Sequence, residues 1–268
     1  TVNEILGLSH LVFTSPNSKL GKNSFLSSLF LNPKKFEFDH NKEREQLLRQ
    51  KPSKTKLTFY SSIAHNIPAI EVVKSSNSTV SRPIESYGVI FPEDLKCNDK
   101  EYKFSGKNPI SQFLQIEKIF MSEELPTLVI VSPILKNYNC TMGAWFSTSS
   151  MTKVKQFFDN CLPSKKIDET DLYSIYSTRV INKKFTDFLW IILNNSVLPE
   201  KNYYNDDYGL STIGWISKDI ENIQPRIRTI GFELSPTFSI EMNNNHFEAF
   251  FCYDNFSLSQ EIMKIKTS

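Results

Sequence analysis

The chain has 268 residues, of which 40% are hydrophobic and 13% aromatic, so it can build one large core or two of ordinary size. Its formal net charge of +2 gives no strong electrostatic field, and its most basic stretch, residues 42–56, also contains acidic side chains. Such a stretch is typical of a solvated loop, whereas nucleic-acid-binding domains concentrate their basic residues in one stripe. We therefore expect no nucleic-acid partner.

The cysteines and the apolar segments indicate the compartment. The four cysteines, at positions 97, 140, 161 and 252, form no C-x-x-C pair and suit reduced thiols better than a disulfide framework or a zinc site. The first residues lack the basic and long apolar regions of a signal peptide, and apolar runs such as residues 188–193 are too short to cross a bilayer. These features predict a cytoplasmic protein with no membrane partner.

The first unit of the chain reads as a strand, a helix and three further strands. Residues 8–14 predict a strand, and residues 23–32 predict a helix between a capping residue, Asn23, and the helix-breaking Pro33. The later strands are predicted at residues 36–40, 56–61 and 69–73.

The other three units repeat this order less completely. In unit four, Pro225 is tolerated only in the first turn of a helix, so we expect the helix to begin after a cap at Asn222 and to end at Gly231. In unit two, Asn108 followed by Pro109 predicts a helix start. The remaining predictions are a helix at residues 152–162 and strands at residues 87–91, 126–131, 143–147, 172–180, 188–193, 211–217, 232–238, 246–252 and 258–265.

An internal repeat supports this division. The segment GLSHLVFTS at residues 7–15 returns as GLSTIGWIS at residues 209–217, with four of nine positions identical. Weaker copies lie at residues 86–91 and 141–146. Because each copy is one supersecondary element that needs a neighbour to cover its apolar face, the repeat predicts four modules. Their expected boundaries are residues 1–80, 81–138, 139–198 and 209–268.

The repeated unit resembles the module of the vicinal oxygen chelate superfamily, which includes glyoxalases, bleomycin-resistance proteins and extradiol dioxygenases. The resemblance is carried by SHLVF at residues 9–13, AIEVV at residues 69–73, and the segments 216–232 and 247–262. It implies an α+β fold in which βαβββ modules form curled mixed sheets, and in which paired modules enclose two cups. The chain would be a four-module form of that family.

The resemblance also implies where a metal ion would bind. In that family a histidine of the first strand and a glutamate of the last strand are metal ligands, and His10 and Glu71 stand at these positions in module one. Module four has Thr212 and Glu261 there, whereas modules two and three carry no acidic residue at the fourth-strand position. The positions compared in modules two and three are Tyr87, Met142 or Gly143, Val129 and Trp190.

Two pairings of the modules stay open. If modules one and four share a cup, His10, Glu71 and Glu261 converge, with Thr212 nearby, and supply one imidazole and two carboxylates. If modules one and two share a cup, only His10 and Glu71 remain. We favour the first pairing because it alone collects three ligands, a reason that already assumes a metal.

Glu71 interrupts an otherwise apolar strand, and burying a carboxylate is costly unless something pairs with it. A divalent metal ion is one such partner, and imidazole with carboxylate oxygens suits Fe, Mn, Ni, Zn or Co. Taken alone, His10 is better explained as a hydrogen-bonded core or rim residue than as a ligand, and Glu261 as a solvent-facing strand residue.

Three further residues are predicted to contact a small-molecule ligand in the cup. Thr212 stands beside the expected ligands, and Tyr60 and Trp215 are strand aromatics that could line the cup, although each is also explained as a core residue.

The functional alternatives differ in class. No dinucleotide, phosphate-loop or G-x-S-x-G motif occurs in the sequence. The resemblance implies a glyoxalase-like, metal-dependent isomerase, epimerase, lyase or dioxygenase, in which the metal holds two neighbouring oxygens of a small metabolite and Glu71 or Glu261 moves a proton. The alternatives are a metal-free protein that sequesters a small molecule, and a degenerate scaffold that acts through a protein partner.

Overall fold

The computed structural model describes residues 4–16, 24–31, 34–38, 55–75, 78, 80–122, 124–194, 203–242, 244–253 and 258–266. These residues form two mixed β-sheets with short helices, which confirms the predicted α+β class and the repeated curled-sheet modules. None of the helices in these ranges is long and apolar enough to span a membrane.

Module one follows the predicted order of elements, whereas in module two a short strand, Lys100–Glu101, precedes the helix. Helix α1 begins after Ser24, whose hydroxyl accepts a hydrogen bond from the amide of Ser27 at 3.2 Å, so Ser24 is the cap; the predicted cap, Asn23, and Pro33 lie outside the described residues. Helix α2 begins after Asn108 with Pro109 in its first turn, as predicted. The elements are β1 Ile5–Ser15, α1 Phe25–Leu29, β2 Lys34–Phe38, β3 Thr55–Tyr60 and β4 Ala69–Lys74, then a 3₁₀ turn at Ile84–Ser86, β5 Tyr87–Phe91, β6 Lys100–Glu101, α2 Pro109–Phe113, β7 Lys118–Met121, β8 Leu128–Val131 and α3 Ile134–Asn137.

Modules three and four contain the two longest helices. Helix α4 buries Val154, Phe157 and Phe158 on one face, the amphipathic pattern expected of a helix packed on a sheet. The elements are β9 Cys140–Thr148, α4 Met151–Asn160, β10 Ser164–Glu169, β11 Tyr173–Arg179, β12 Asp187–Asn194, β13 Gly209–Ser217, α5 Ile220–Ile230, β14 Glu233–Leu234, β15 Phe238–Met242, β16 Asn245–Tyr253 and β17 Ser259–Ile265.

The predicted start of α5 is wrong. The helix begins at Ile220, and the carboxylate of Asp219 caps it by accepting hydrogen bonds from the amides of Glu221 and Asn222 at 3.0 and 3.1 Å. Pro225 therefore lies inside the helix, where it forgoes one backbone hydrogen bond. Burial of three isoleucines on the inner face and the Asp219 cap outweigh that loss. The helix ends as predicted at Gly231, in the left-handed conformation.

The order of strands determines which modules meet. One sheet runs β14-β16-β17-β13-β1-β4-β3-β2, with β15 paired to β16, and the other runs β10-β11-β12-β9-β5-β8-β7-β6. At the centre of each sheet the first strands of two modules pair antiparallel, β1 with β13 and β5 with β9. Modules one and four therefore share one sheet, and modules two and three share the other.

The main core lies between the two sheets. Trp190 and Trp215, one from each sheet, are fully buried with ring centroids 5.9 Å apart, and Phe158 of α4 packs against both. Each indole N–H donates a hydrogen bond of 2.8 Å, from Trp215 to Gln260 and from Trp190 to Thr178. These bonds remove the cost of burying a polar atom, so the two indoles can join the sheets back to back. The opposite face of each sheet is left to form a cup.

We expect Asp219→Ala to lower the free energy of unfolding by about 1 kcal/mol, because two amides of the first turn of α5 lose their acceptor. Asn222→Ala is the matched control, since it removes only an exposed side-chain hydrogen bond to Asp219. Urea denaturation followed by circular dichroism measures both. A larger loss for Asn222→Ala than for Asp219→Ala would contradict the assignment of the cap.

Candidate metal and substrate site

Three titratable side chains meet where β1 and β13 pair. His10 on β1 lies opposite Gly214 on β13, and Gly214 in turn pairs with Glu261 on β17. On the other side of β1, Val12 pairs with Glu71 on β4. Since side chains two apart on a strand share a face and paired residues share it too, His10, Glu71 and Glu261 lie on one face of the sheet. We call this face cup one.

The three side chains are close enough to interact directly. Nε2 of His10 is 3.6 Å from Oε2 of Glu71 and 3.5 Å from Oε1 of Glu261. His10 is 3% exposed and its Nε2 has no hydrogen-bond partner of normal geometry, whereas Nδ1 is 3.1 Å from the hydroxyl of Ser9. An imidazole held through Nδ1 with Nε2 left available is the usual arrangement of a metal-binding histidine.

The donor set has the chemistry of a divalent-ion site, and its spacing is close to what such an ion needs. Neighbouring ligands of a tetrahedral ion lie about 3.4 Å apart when each bond is about 2.1 Å. The two distances from Nε2 of His10 are near that value. In the part of the chain that the structure describes, however, no group of three His, Cys, Asp or Glu side chains is arranged to hold a metal ion. Binding would therefore require the two carboxylates and the imidazole to rearrange.

Gly214 makes room for the imidazole. A Cβ atom built at Gly214 would lie 2.2–2.6 Å from three atoms of the His10 ring, which is closer than any non-bonded contact allows. The ring therefore lies directly over the backbone of β13 and reaches across it toward Glu261. Gly214 is not among the residues predicted from the sequence, but a glycine inside an apolar strand is a recognised signal of close approach by another group.

Thr212 occupies the position in module four that His10 occupies in module one. Glu71 pairs with Val12 and Glu261 pairs with Gly214, so the residues two positions earlier, His10 and Thr212, correspond. The Thr212 hydroxyl is 3.3 Å from the hydroxyl of Ser259, which donates a hydrogen bond of 2.5 Å to Oδ1 of Asn205. A fourth strong ligand is thus replaced by a hydroxyl that already belongs to a hydrogen-bond network.

The two aromatic residues predicted to contact a ligand lie elsewhere. Trp215 neighbours Gly214 and points to the opposite face of the sheet, where it packs against Trp190 and Phe158. Tyr60 pairs with Ile70 on that same inner face and packs against Phe30. Neither side chain lines cup one, because a shift of one residue along a strand reverses the face.

Other aromatic side chains, which no sequence motif indicated, form the walls instead. Phe59 pairs with Glu71 and meets the His10 ring edge to face, with centroids 6.3 Å apart. On the side of module four, Phe238, Phe251 and Tyr253 form a stacked row with centroid distances of 5.5 and 6.3 Å. On the side of module one, the wall is an apolar cluster of Val12, Leu57, Val73 and Phe36.

Burial and mutual contact shift the proton equilibria of the site. Burial, opposed by the charge of His10 and reinforced by that of Glu261, raises the pKa of Glu71 to about 7. Burial alone would lower the pKa of His10, but the close polar contact with Glu261 and the charges of both carboxylates outweigh it and raise that pKa above 6.5. Without a metal ion, His10 therefore keeps its proton to a higher pH than a free imidazole does, and the protonated ring offsets negative charge in cup one.

Comparison with known proteins finds similar structures but no similar sequences. No protein-family model and no curated protein matches the chain. A candidate dioxygenase from Bacillus subtilis subsp. subtilis str. 168 covers 100% of this chain and 87% of its own, with a TM-score of 0.59 and 11% identity. Glyoxalase I from Zea mays covers 96% of this chain and 92% of its own, with a TM-score of 0.52 and 11% identity.

The chain has the fold of the vicinal oxygen chelate superfamily. The predicted resemblance is confirmed at that level. Identities near 11% establish the fold alone, so any activity must be argued from the side chains of the site.

The second cup of this vicinal oxygen chelate fold lacks the charged residues. On the sheet of modules two and three, Trp145 lies opposite Gly88 as His10 lies opposite Gly214, and a Cβ at Gly88 would lie 1.9–2.4 Å from the indole. Gly88 pairs with Leu128, the counterpart of Glu261, and Ser147 pairs with Leu193, the counterpart of Glu71. We call this face cup two.

These counterparts correct the positions compared from the sequence. The register assigns Ser86 and Trp145 to the first-strand positions of modules two and three, rather than Tyr87 and Met142 or Gly143. It assigns Leu128 and Leu193 to the fourth-strand positions, rather than Val129 and Trp190. The sequences of the modules can be aligned only by their apolar residues. Because neighbouring strand positions in modules two and three are all apolar, such an alignment does not identify which of them correspond to His10 and Glu71.

We expect Gly214→Ala to displace His10, because the added methyl group would occupy the space of the ring. Overpacking of this kind costs about 1–3 kcal/mol of unfolding free energy. The His10 signal in NMR pH titrations should also lose its raised pKa. Gly106→Ala is the matched control, since a Cβ there meets no atom within 4 Å. An unchanged His10 titration in Gly214→Ala would show that the ring does not depend on this space.

Proposed function

We propose that cup one is the active site of a metal-dependent, glyoxalase-like enzyme that acts on a small oxygenated metabolite. The observation that carries the proposal is the buried Nε2 of His10, which lies within 3.6 Å of both Glu71 and Glu261 and has no hydrogen-bond partner of normal geometry. Isomerase, epimerase, lyase and dioxygenase chemistry are all compatible with this set of residues.

His10, Glu71 and Glu261 would hold a divalent ion such as Fe, Mn, Ni, Zn or Co, through one nitrogen and two carboxylates. When bound, the ion supplies electrophilic stabilisation of negative charge on two neighbouring substrate oxygens. Three protein ligands leave coordination positions free, because Thr212 brings a hydroxyl in place of a fourth strong ligand.

Glu71 is the better placed of the two carboxylates to move a proton. Its side chain is 16% exposed, against 10% for Glu261, so it is more accessible to a substrate in the cup. Burial raises its pKa to about 7 in the metal-free protein, close to the value at which a general base works best near neutral pH. The apolar walls formed by Phe59 and the cluster around Leu57 exclude water from this transfer.

A metal-free binding protein is the second candidate, and the site contains an observation in its favour. A protonated His10 beside Glu71 and Glu261 is an ion-paired group that needs no metal ion for charge balance. The stacked row of Phe238, Phe251 and Tyr253 could then hold a planar ligand without chemistry. Metal content separates the two candidates.

We expect the purified protein to bind one divalent transition-metal ion per chain, and His10→Ala to reduce that stoichiometry to near zero. The physical reason is that the imidazole is the only neutral nitrogen ligand in the set. Equilibrium dialysis followed by elemental analysis measures the content. His246→Ala is the matched control, because His246 is exposed on β16. Equal metal content in both variants would favour the metal-free alternative.

The free energy of unfolding of the metal-free protein should fall as the pH rises from 4.5 to about 7. Both His10 and Glu71 bind protons more tightly in the folded state, so their contribution is present at low pH and is lost as the pH rises through their folded pKa values. For Glu71 the window runs from its ordinary value of 4.5 to about 7. Urea denaturation in the presence of a chelator measures the effect.

The Glu71→Gln variant isolates the contribution of Glu71 to this pH dependence, because it removes that proton-binding site. The plot of unfolding free energy against pH should therefore be flatter between about pH 5 and 7 in the variant. Stability that rises with pH over this range in the wild type relative to Glu71→Gln would contradict the raised pKa. Adding metal should reverse the trend in the wild type, since the ion displaces the same protons.

A further inference from the structure

Cup two contains a cavity that the proposed activity does not use. It has a volume of about 390 Å³, within the range of small-molecule sites. Its lining comes from the 3₁₀ turn at Ile84–Ser86, the loop before α2, strand β9 and the end of β12. The sheet of modules two and three therefore offers its own site for a ligand, separate from cup one.

The cavity lies beside the position in cup two that corresponds to the candidate metal site, and it shares with that position the counterpart of Glu71, Leu193. Ser147 and Leu193 line it, and they pair with each other as Val12 pairs with Glu71. Ser86 also lines it and is the counterpart of Thr212. Because leucines replace both glutamates and Trp145 replaces the histidine, this place cannot hold a metal ion. Cup two therefore has a cavity but no metal-binding side chains at the positions equivalent to those in cup one.

The Ser147 hydroxyl is unpaired and open to the cavity. The residue is 7% exposed and lines the cavity, and its hydroxyl makes no hydrogen bond. The hydroxyl oxygen is not among the buried polar atoms that lack a partner, so it is accessible from the cavity. A ligand that reaches it can gain a hydrogen bond worth about 0.5–1.5 kcal/mol.

Hydrogen bonds around Glu85 hold the wall beside Ser147. One carboxylate oxygen of Glu85 accepts hydrogen bonds from the hydroxyl of Tyr102 at 2.8 Å and from the amide of Ser105 at 2.7 Å. Its other oxygen accepts from the hydroxyl of Ser105 at 2.7 Å, and Asn108 donates to the backbone carbonyl of Glu85 at 3.2 Å. These bonds fix Glu85 to the loop before α2.

The remaining hydrogen-bonding capacity defines the ligand. The Ser86 hydroxyl donates to the carbonyl of Pro83 and the Asn194 amide donates to that of Asp171, so both still have free acceptor oxygens. Ser147 can donate and accept. Glu85 and Lys107 bring opposite charges that cancel, so the cavity attracts neither anions nor cations strongly.

A ligand hydroxyl can donate to the acceptor oxygens of Ser86 and Asn194, and it can either donate to or accept from Ser147. We propose that the cavity of cup two binds an uncharged, hydroxyl-rich molecule of about monosaccharide size, with Ser147 as its buried contact. Binding there is independent of any metal ion in cup one, because the two cups lie on different sheets.

Saturation-transfer NMR with the full chain tests this, using D-glucose, D-ribose, myo-inositol and glycerol as probes at millimolar concentration. We expect saturation transfer to at least one probe and a binding constant from its titration. Ser147→Ala should weaken that binding about three- to tenfold, the equivalent of one lost hydrogen bond. Asn194→Ala, at the exposed rim, should weaken it as well.

Two controls separate this site from folding and from cup one. Ser174→Ala removes a hydroxyl that also makes no hydrogen bond but is fully buried, on the same sheet and outside the cavity, and should leave binding unchanged. His10→Ala should also leave it unchanged. The proposal is overturned if no probe binds to the wild type, or if Ser147→Ala and Asn194→Ala both bind the probe as the wild type does.

Discussion

The structure of cup one depends on the contact of one buried imidazole with two carboxylates across the pair of strands β1 and β13. His10 is almost fully buried, and a charge in that position is tolerated only if it is paired. Its partners come from different modules, Glu71 from module one and Glu261 from module four. The contact therefore exists only because the first strands of these two modules pair, and because Gly214 leaves the ring room to cross between them.

Cup two shows the same backbone arrangement with different side chains. There too an aromatic ring lies over a glycine of the opposing strand, Trp145 over Gly88, but the ring carries no metal-binding nitrogen lone pair and its neighbours are leucines. Apolar packing replaces ion pairing at the centre of that sheet. The repeated fold thus provides two hollows, of which one gathers charge and the other retains a neutral cavity with the Ser147 hydroxyl on its wall.

Local sequence signals are sufficient where the chemistry is local. The alternation of strand residues, Asn108 before Pro109 and the stop at Gly231 predict elements that the structure contains. The predicted start of α5 is misplaced because the rule for proline considers one hydrogen bond, whereas the buried face of the whole helix stabilises it. Tyr60 and Trp215 are wrongly assigned to the cup because alternation defines two faces but does not say which one meets the other sheet.

The sequence by itself determined the repeat, the class of fold and the short set of side chains, His10, Glu71 and Glu261, that could act together. These follow from periodicity and from the cost of a charge in an apolar strand, both of which are written along the chain. Only the tertiary structure decided that His10 lies within 3.6 Å of both carboxylates, and that the aromatic walls come from Phe59 and the row that includes Phe251. Those facts depend on the pairing of strands about 200 residues apart, and strand register is a property of the assembled sheet rather than of any segment.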